Sequence, residues 1–167
     1  MIVIDNFLPD ELLEGLMVSS TMRATKNNGY RWWDGVTKEN KVHEIIAYCR
    51  DYFEVQGVCG FEWWYNAIEG VANQWHFDRD EERYEKGEHM PAEWSCTLYP
   101  FPHTIWGGFL EVECGDETRT EVERIAPRFN RCVVLDKCVW HRVSRVWSGQ
   151  RHSLTINGYI DPPSSAY

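Results

Sequence analysis

Apolar residues change their spacing once along this chain, near residue 60. Before that point they recur at helical intervals. Pro9 and Asp10 open one stretch, since proline suits a first turn and an acidic side chain there favours the helix dipole. Leu12, Leu13, Leu16 and Met17 form its apolar stripe. Asn27-Asn28-Gly29 predicts a turn. Val42, Ile45, Ile46, Cys49 and Phe53 predict a second helix with one buried face, capped by Thr37 and ended between Gly57 and Gly60. A short strand, Ile2-Val3-Ile4, precedes both helices. Tyr30-Arg31-Trp32-Trp33-Asp34-Gly35 reads as an aromatic loop that covers the core.

From Phe61 onward, alternation replaces the helical period. Residues 61–67, 73–78, 94–99, 109–114, 121–125, 131–136 and 153–160 read as strands, and many short strands predict a sandwich or barrel. In the last of them Arg151, Ser153, Thr155 and Asn157 share one face, while Leu154, Ile156 and Ile160 share the other. If the polar face lines a wet barrel interior, the apolar face is left for the two helices, which need such a surface to bury against. Residues 79–92 form a charged insertion in which Gly87 and Pro91 oppose one continuous helix, and a mobile loop over the barrel mouth is expected. With 167 residues and no repeat or linker, residues 1–167 read as a single domain.

Composition narrows the function. A net charge of −9 disfavours nucleic acid, whose binding draws on Lys and Arg. No apolar run reaches membrane-spanning length, and the first residues lack a signal-peptide pattern, so a cytoplasmic protein with no membrane partner is expected. None of the six Cys forms a Cys-x-x-Cys pair, which disfavours zinc knuckles and thiol redox chemistry. The nine Trp exceed what a core of this size needs, so some should line a cleft.

Chemistry concentrates in two stretches. In Trp75-His76-Phe77-Asp78, read as a strand, His76 and Asp78 point the same way and can supply two corners of a two-His-one-carboxylate metal face. Near the other end, Trp140-His141-Arg142-Val143 is followed, ten residues after the His, by Arg151-His152-Ser153-Leu154-Thr155. His76, Asp78, His141 and Arg151, in that order, resemble the Fe(II)/2-oxoglutarate-dependent dioxygenases, in particular the prolyl-4-hydroxylase-like branch. The opening Ile4-Asp5-Asn6-Phe7-Leu8-Pro9-Asp10, Thr97-Leu98-Tyr99 with Trp106-Gly107-Gly108-Phe109-Leu110, and the turn and strand from Pro127 to Leu135 add to the resemblance, which covers most of the chain.

The resemblance implies a mainly β double-stranded β-helix, or jelly roll, with the two N-terminal helices packed on one sheet. It implies Fe(II) held by His76, Asp78 and His141. It implies 2-oxoglutarate as cosubstrate, its distal carboxylate clamped by Arg151, with Tyr99, Ser153 and Thr97 beside it. O2 would be consumed and ascorbate is an optional addition. The expected reaction hydroxylates a C–H bond and converts 2-oxoglutarate to succinate and CO2. The substrate is expected to be a peptide or protein side chain, prolyl or other, or a small amino-acid-like molecule, with Tyr65, Arg79, Tyr84 and Asn157 as candidate contacts. Asn157 stands where many relatives carry Trp, which argues against assuming a prolyl substrate. The alternative is a non-catalytic jelly-roll module that binds a peptide or carbohydrate; it accounts for the Trp count but leaves Arg151 without a task.

Overall fold

In the computed structural model, residues 1–18, 29–116 and 119–167 are described. Strand β1 (Ile2–Asp5) leads into helix α1 (Asp10–Val18). Then come β2 (Arg31–Trp33), α2 (Lys41–Tyr52), β3 (Gly60–Ile68) and the short helix α3 (Glu81–Glu85). The remainder is strand: β4 (Trp94–Leu98), β5 (Trp106–Gly107), β6 (Leu110–Asp116), β7 (Arg119–Ile125), β8 (Arg131–Leu135), β9 (His141–Val143), β10 (Val146–Ser148) and β11 (Arg151–Tyr159). Among the described residues no helix is long and apolar enough to cross a membrane.

Six antiparallel strands form the major sheet in the order β1-β8-β4-β11-β3-β2; β7-β6-β9 and β10-β5 form the smaller ones. Alternation gives the major sheet two different faces. Leu154 and Ile156 of β11, Phe61, Trp63 and Ala67 of β3, and Cys96 and Leu98 of β4 turn outward. There they join Leu13, Leu16, Val42, Ile45, Ile46 and Cys49 of the two helices in one buried cluster. Each fully buried Leu or Ile in such a cluster contributes about 1.5–3 kcal/mol. The other face looks into the molecule. Its Val133 and Leu135 meet Leu110, Val112 and Ile125 of the β6-β7 pair, so the two sheets close over a common interior. This is the jelly roll with helices on one sheet that the sequence predicts, and the polar face of β11 does point inward.

Several local expectations change. Helix α2 is capped by Asn40, whose side chain accepts from the His43 N–H; the Thr37 carbonyl instead accepts from Trp33 Nε1 at 2.8 Å. The aromatic loop is partly a strand, β2, paired with β3. Residues 73–78 are not a strand. An isolated bridge between His76 and His141 and a bond from the Asn73 N–H to the Val143 carbonyl at 3.0 Å join them to β9. The turn expected at Asn27-Asn28 and the side chain of Met17 lie outside the described residues.

The insertion after Asp78 is tied down at its base. The Ala92 N–H donates to the Asp78 carbonyl, and the Asp80 N–H to that of Met90, both at 3.0 Å. The buried Asp80 carboxylate caps α3 by accepting from the Arg83 N–H at 3.0 Å. It also takes the Ser164 N–H at 2.6 Å. Met90 and Ala92 are buried against Tyr159. The expected mobile loop therefore has a fixed base and an apolar anchor of its own.

Candidate active site

The His76–His141 bridge is the seed of the site. The His76 N–H donates to the His141 carbonyl at 3.0 Å, and the His141 N–H to the His76 carbonyl at 2.8 Å. A pair that exchanges both backbone bonds holds its Cα atoms at about 5.5 Å, so the rings stand side by side with centroids 4.5 Å apart. Beyond it the pairing slips by one residue: the Asn73 N–H donates to the Val143 carbonyl at 3.0 Å, and the Gln74 carbonyl turns to the His76 ring, 2.9 Å from Nδ1. In the same way Nδ1 of His141 lies 2.9 Å from the Val139 carbonyl. A carbonyl can only accept, so both Nδ1 atoms carry hydrogen and Nε2 is the atom each ring can offer to a metal. Burial, the largest influence, holds the His141 imidazole below its ordinary pKa against the opposing pull of Asp78, which keeps the ring neutral.

Asp78 completes the group. One ligand atom from each of His76, Asp78 and His141 lies within 4.8 Å of the other two. The Asp78 carboxylate is held by Ser95, whose hydroxyl donates to Oδ2. Two imidazoles and a carboxylate with no thiolate are a donor set suited to Fe(II) and similar divalent ions. Their outer partners, two carbonyls and a hydroxyl, are the groups that orient ligands around a metal.

An inner cavity of about 50 Å³ runs from this group to the start of β11. Arg151, Ser153, Thr97 and Thr155 line it together with His76, Asp78 and His141. Arg151 is 2% exposed. Its Nε donates to the Gly108 carbonyl at 3.1 Å. One terminal nitrogen donates to Ser153 Oγ at 2.8 Å, and the other to the Tyr99 hydroxyl at 3.0 Å. All three partners are neutral, and among the described residues no carboxylate pairs with this guanidinium. Gly108 has φ +67, and a Cβ there would stand 3.2 Å from Arg151 Cδ, so glycine lets the backbone approach the Arg stem.

An outer cleft of about 420 Å³ shares a wall with the inner cavity. Trp64, Asn66, Asn73, Phe77, Tyr30 and Glu81 line it, with Arg79 and Asn157 from the predicted contacts. Trp64 is thus one tryptophan that serves a cleft. The other two predicted contacts differ. Tyr65 borders the cleft, but it belongs to the helix-facing cluster and its hydroxyl lies 2.5 Å from His152 Nδ1 on the opposite side of the sheet. Its parity with Phe61 and Trp63 carries that signal in the sequence. Tyr84 stands outside the cleft lining, beneath the Arg79 guanidinium, which lies 3.3 Å above its ring.

Glu62 is a cleft residue the sequence reading missed. It opposes Asn157 in the β3–β11 register and is 6% exposed. Burial, opposed by its bond from Ser165 and reinforced by Asp80 and Asp78, pushes its carboxyl up to about 7. Burial, with Glu62, Glu81 and Asp78 after it, likewise raises the Tyr30 hydroxyl above its ordinary pKa.

Residues 63–160 match the family model described as the 2OG-Fe(II) oxygenase superfamily. Sequence comparison with curated proteins finds no match. Among solved structures, a Pseudomonas putida prolyl-4-hydroxylase is similar over 95% of this chain and 83% of that one, with 21% identity and a TM-score of 0.67. A Trichoplax adhaerens prolyl hydroxylase in complex with a hypoxia inducible factor peptide fragment is similar over 95% and 82%, with 15% identity and a TM-score of 0.61. A Burkholderia pseudomallei oxidoreductase of the 2OG-Fe(II) oxygenase family covers 99% and 88%, with 14% identity and a TM-score of 0.63. At such identities these likenesses speak to the fold.

Proposed function

Because the chain belongs to the 2OG-Fe(II) oxygenase superfamily, we propose that its 167 residues act as one domain that hydroxylates a C–H bond of a peptide side chain or an amino-acid-like molecule. The protein is an oxygenase, which sets aside the non-catalytic binding module, and the family implies Fe(II), 2-oxoglutarate and O2. In this reading His76, Asp78 and His141 hold the iron. Arg151 receives the distal carboxylate of 2-oxoglutarate, with Tyr99, Ser153 and Thr97 around it. The observation that carries the reading is a metal-competent triad opening into the same small cavity as a buried, unneutralised arginine. When held there, Fe(II) would supply the O2 chemistry that places one oxygen atom in the C–H bond and the other in the succinate formed, with CO2, from 2-oxoglutarate.

The chain's own residues bind, orient and exclude water. The Gln74 and Val139 carbonyls keep both imidazoles in the tautomer that offers Nε2. Ser95 holds one Asp78 oxygen and so fixes the direction of the other. The Arg151 fork can take a carboxylate bidentately and stays charged whatever its burial. The half-buried cleft beside the triad admits a substrate larger than the inner cavity can hold. The peptide-bound Trichoplax prolyl hydroxylase, of the same fold, supports a peptide in that place.

The test is succinate formation from 2-oxoglutarate by the full chain with Fe(II) and O2, read with and without a chelator. Iron-dependent succinate is the expected result. If the protein yields no succinate and 2-oxoglutarate does not bind it in a calorimetric titration with Mn(II), the assignment falls.

A further inference from the structure

We infer that Glu62 and Asn157 form a subsite for a cationic group of the substrate, a primary ammonium or a guanidinium. The inference rests on the oxygenase reading above and adds to it the chemistry of the molecule that is oxidised. Glu62 is 6% exposed and Asn157 is 2% exposed. They are direct cross-strand partners on the inner face of β3 and β11, and both line the outer cleft.

What these two residues lack identifies the ligand. One Glu62 oxygen accepts from the Ser165 hydroxyl. Among the described residues no Lys or Arg pairs with it. Arg79, on the same wall, is engaged by Glu81 and by the rings of Tyr84 and Phe77. Among the described residues the buried side-chain oxygen of Asn157 has no hydrogen-bond partner, and the buried Tyr159 hydroxyl, which bears on both Glu62 and Asn157, is likewise unpaired; it is a neutral donor and supplies no charge. A carboxylate whose partners are neutral hydroxyls, side by side with an unpaired amide oxygen, suits a charged donor better than a neutral amide.

The register sets how far the ligand reaches. Asn157 faces Glu62 across one strand gap and Ser95 across the other. Ser95 in turn holds Asp78. Glu62, Asn157 and Ser95 therefore form a row over three adjacent strands that ends at the triad. Two strand gaps span about 10 Å between backbones. A ligand whose cation rests on Glu62 extends along this row towards the triad, a stretch that suits a lysine or arginine side chain. The same cation could come from a residue within a peptide or from a free amino acid.

The test is calorimetry on the full chain with Mn(II) and 2-oxoglutarate, which prevents turnover. The probes are N-acetyl-lysine methylamide, N-acetyl-arginine methylamide, the neutral isostere N-acetyl-norleucine methylamide, and free L-lysine. One of the two cationic amides should bind at least about tenfold tighter than the norleucine probe, the size of one charge-assisted contact. Glu62→Gln should bring that ratio down to about threefold or less. Equal affinities in the wild-type protein, or no binding by either cationic amide, overturn the inference with no variant needed, so a poorly folded Glu62→Gln does not protect it. A preference that survives in a Glu62→Gln protein of normal melting temperature also overturns it. The ratio of free lysine to its blocked amide tells an amino acid from a chain residue. Failure of 2-oxoglutarate to bind the wild-type protein would count against the oxygenase reading; the probe titrations, repeated without cosubstrate, still read the cation preference.

Discussion

Two buried charges face the same interior from opposite ends of the β3–β11 pair, and they solve the problem of burial differently. Arg151 opens β11, and its register partner is Ile68 at the end of β3; Glu62 lies near the start of β3, six register steps away, opposite Asn157. Each is surrounded by neutral partners: Gly108, Ser153 and Tyr99 for the arginine, Ser165 for the glutamate. A buried charge without a counter-ion is costly, and it persists where function supplies the missing partner. The guanidinium cannot shed its proton, so Arg151 stays positively charged at every working pH. The carboxyl can take one up, and burial pushes it to about 7. One end of the site is thus permanently charged, and the other becomes fully charged when a cation arrives.

The largest test removes what lies between the two ends. Asp78→Ala leaves two imidazoles, and Co(II) titration followed spectroscopically should show loss of tight binding, with succinate formation abolished. Tight Co(II) binding by this variant would mean that the two ends do not flank a metal.

The next effect is on stability. The Glu62 carboxyl is raised in the folded protein from 4.5 to about 7. Below 4.5 it is protonated in both the folded and the unfolded chain. Between 4.5 and 7 the unfolded chain ionises while the folded one keeps its proton, so stability falls through this window and levels off above it. In metal-free protein this loss should be on the order of 2–3 kcal/mol between about pH 5 and about pH 8. Urea unfolding should show the loss in wild type and not in Glu62→Gln. Parallel pH profiles for the two proteins would remove the contrast with Arg151.

Arg151→Ala should weaken 2-oxoglutarate binding by about ten- to a hundredfold, and Arg151→Lys by less, since it keeps charge but loses the fork. The lysine-probe affinity, measured without cosubstrate, should change by no more than about twofold if the two ends act independently. An unchanged affinity for 2-oxoglutarate in Arg151→Ala would take the arginine out of the site. The smallest effect belongs to Ser95→Ala. Losing the hydroxyl that orients Asp78 should lower metal affinity by about tenfold. No change in the Co(II) titration would show that the backbone bridge alone sets the ligand geometry.

Much of this was legible in the sequence. The apolar stripes of α1 and α2 and the alternation in β11 follow from local periodicity, because side-chain direction is fixed by residue spacing within one element. The order of His76, Asp78, His141 and Arg151 was legible because donor type and spacing survive without coordinates. Other features were not. Residues 73–78 read as a strand, yet the Gln74 carbonyl serves the His76 ring instead of a ladder. Asn40 and Thr37 both had the chemistry of a cap, and only the path of the chain chose Asn40. The insertion at 79–92 read as a mobile charged loop, since nothing local shows that Asp80 would reach the Ser164 N–H.

The sequence by itself determined two amphipathic helices followed by a sandwich or barrel of short strands, from periods that repeat within a few positions, and its resemblance to the Fe(II)/2-oxoglutarate-dependent dioxygenases implied the jelly roll and the donor set His76, Asp78 and His141. The tertiary structure alone decided that Tyr65 turns its hydroxyl to the helix side while Glu62 faces the cleft, that Glu62 stands opposite Asn157, and that neither Arg151 nor Glu62 finds a counter-ion among the described residues. The reason is physical. Register couples residues almost a hundred positions apart, and whether a buried charge is neutralised depends on every element that packs around it.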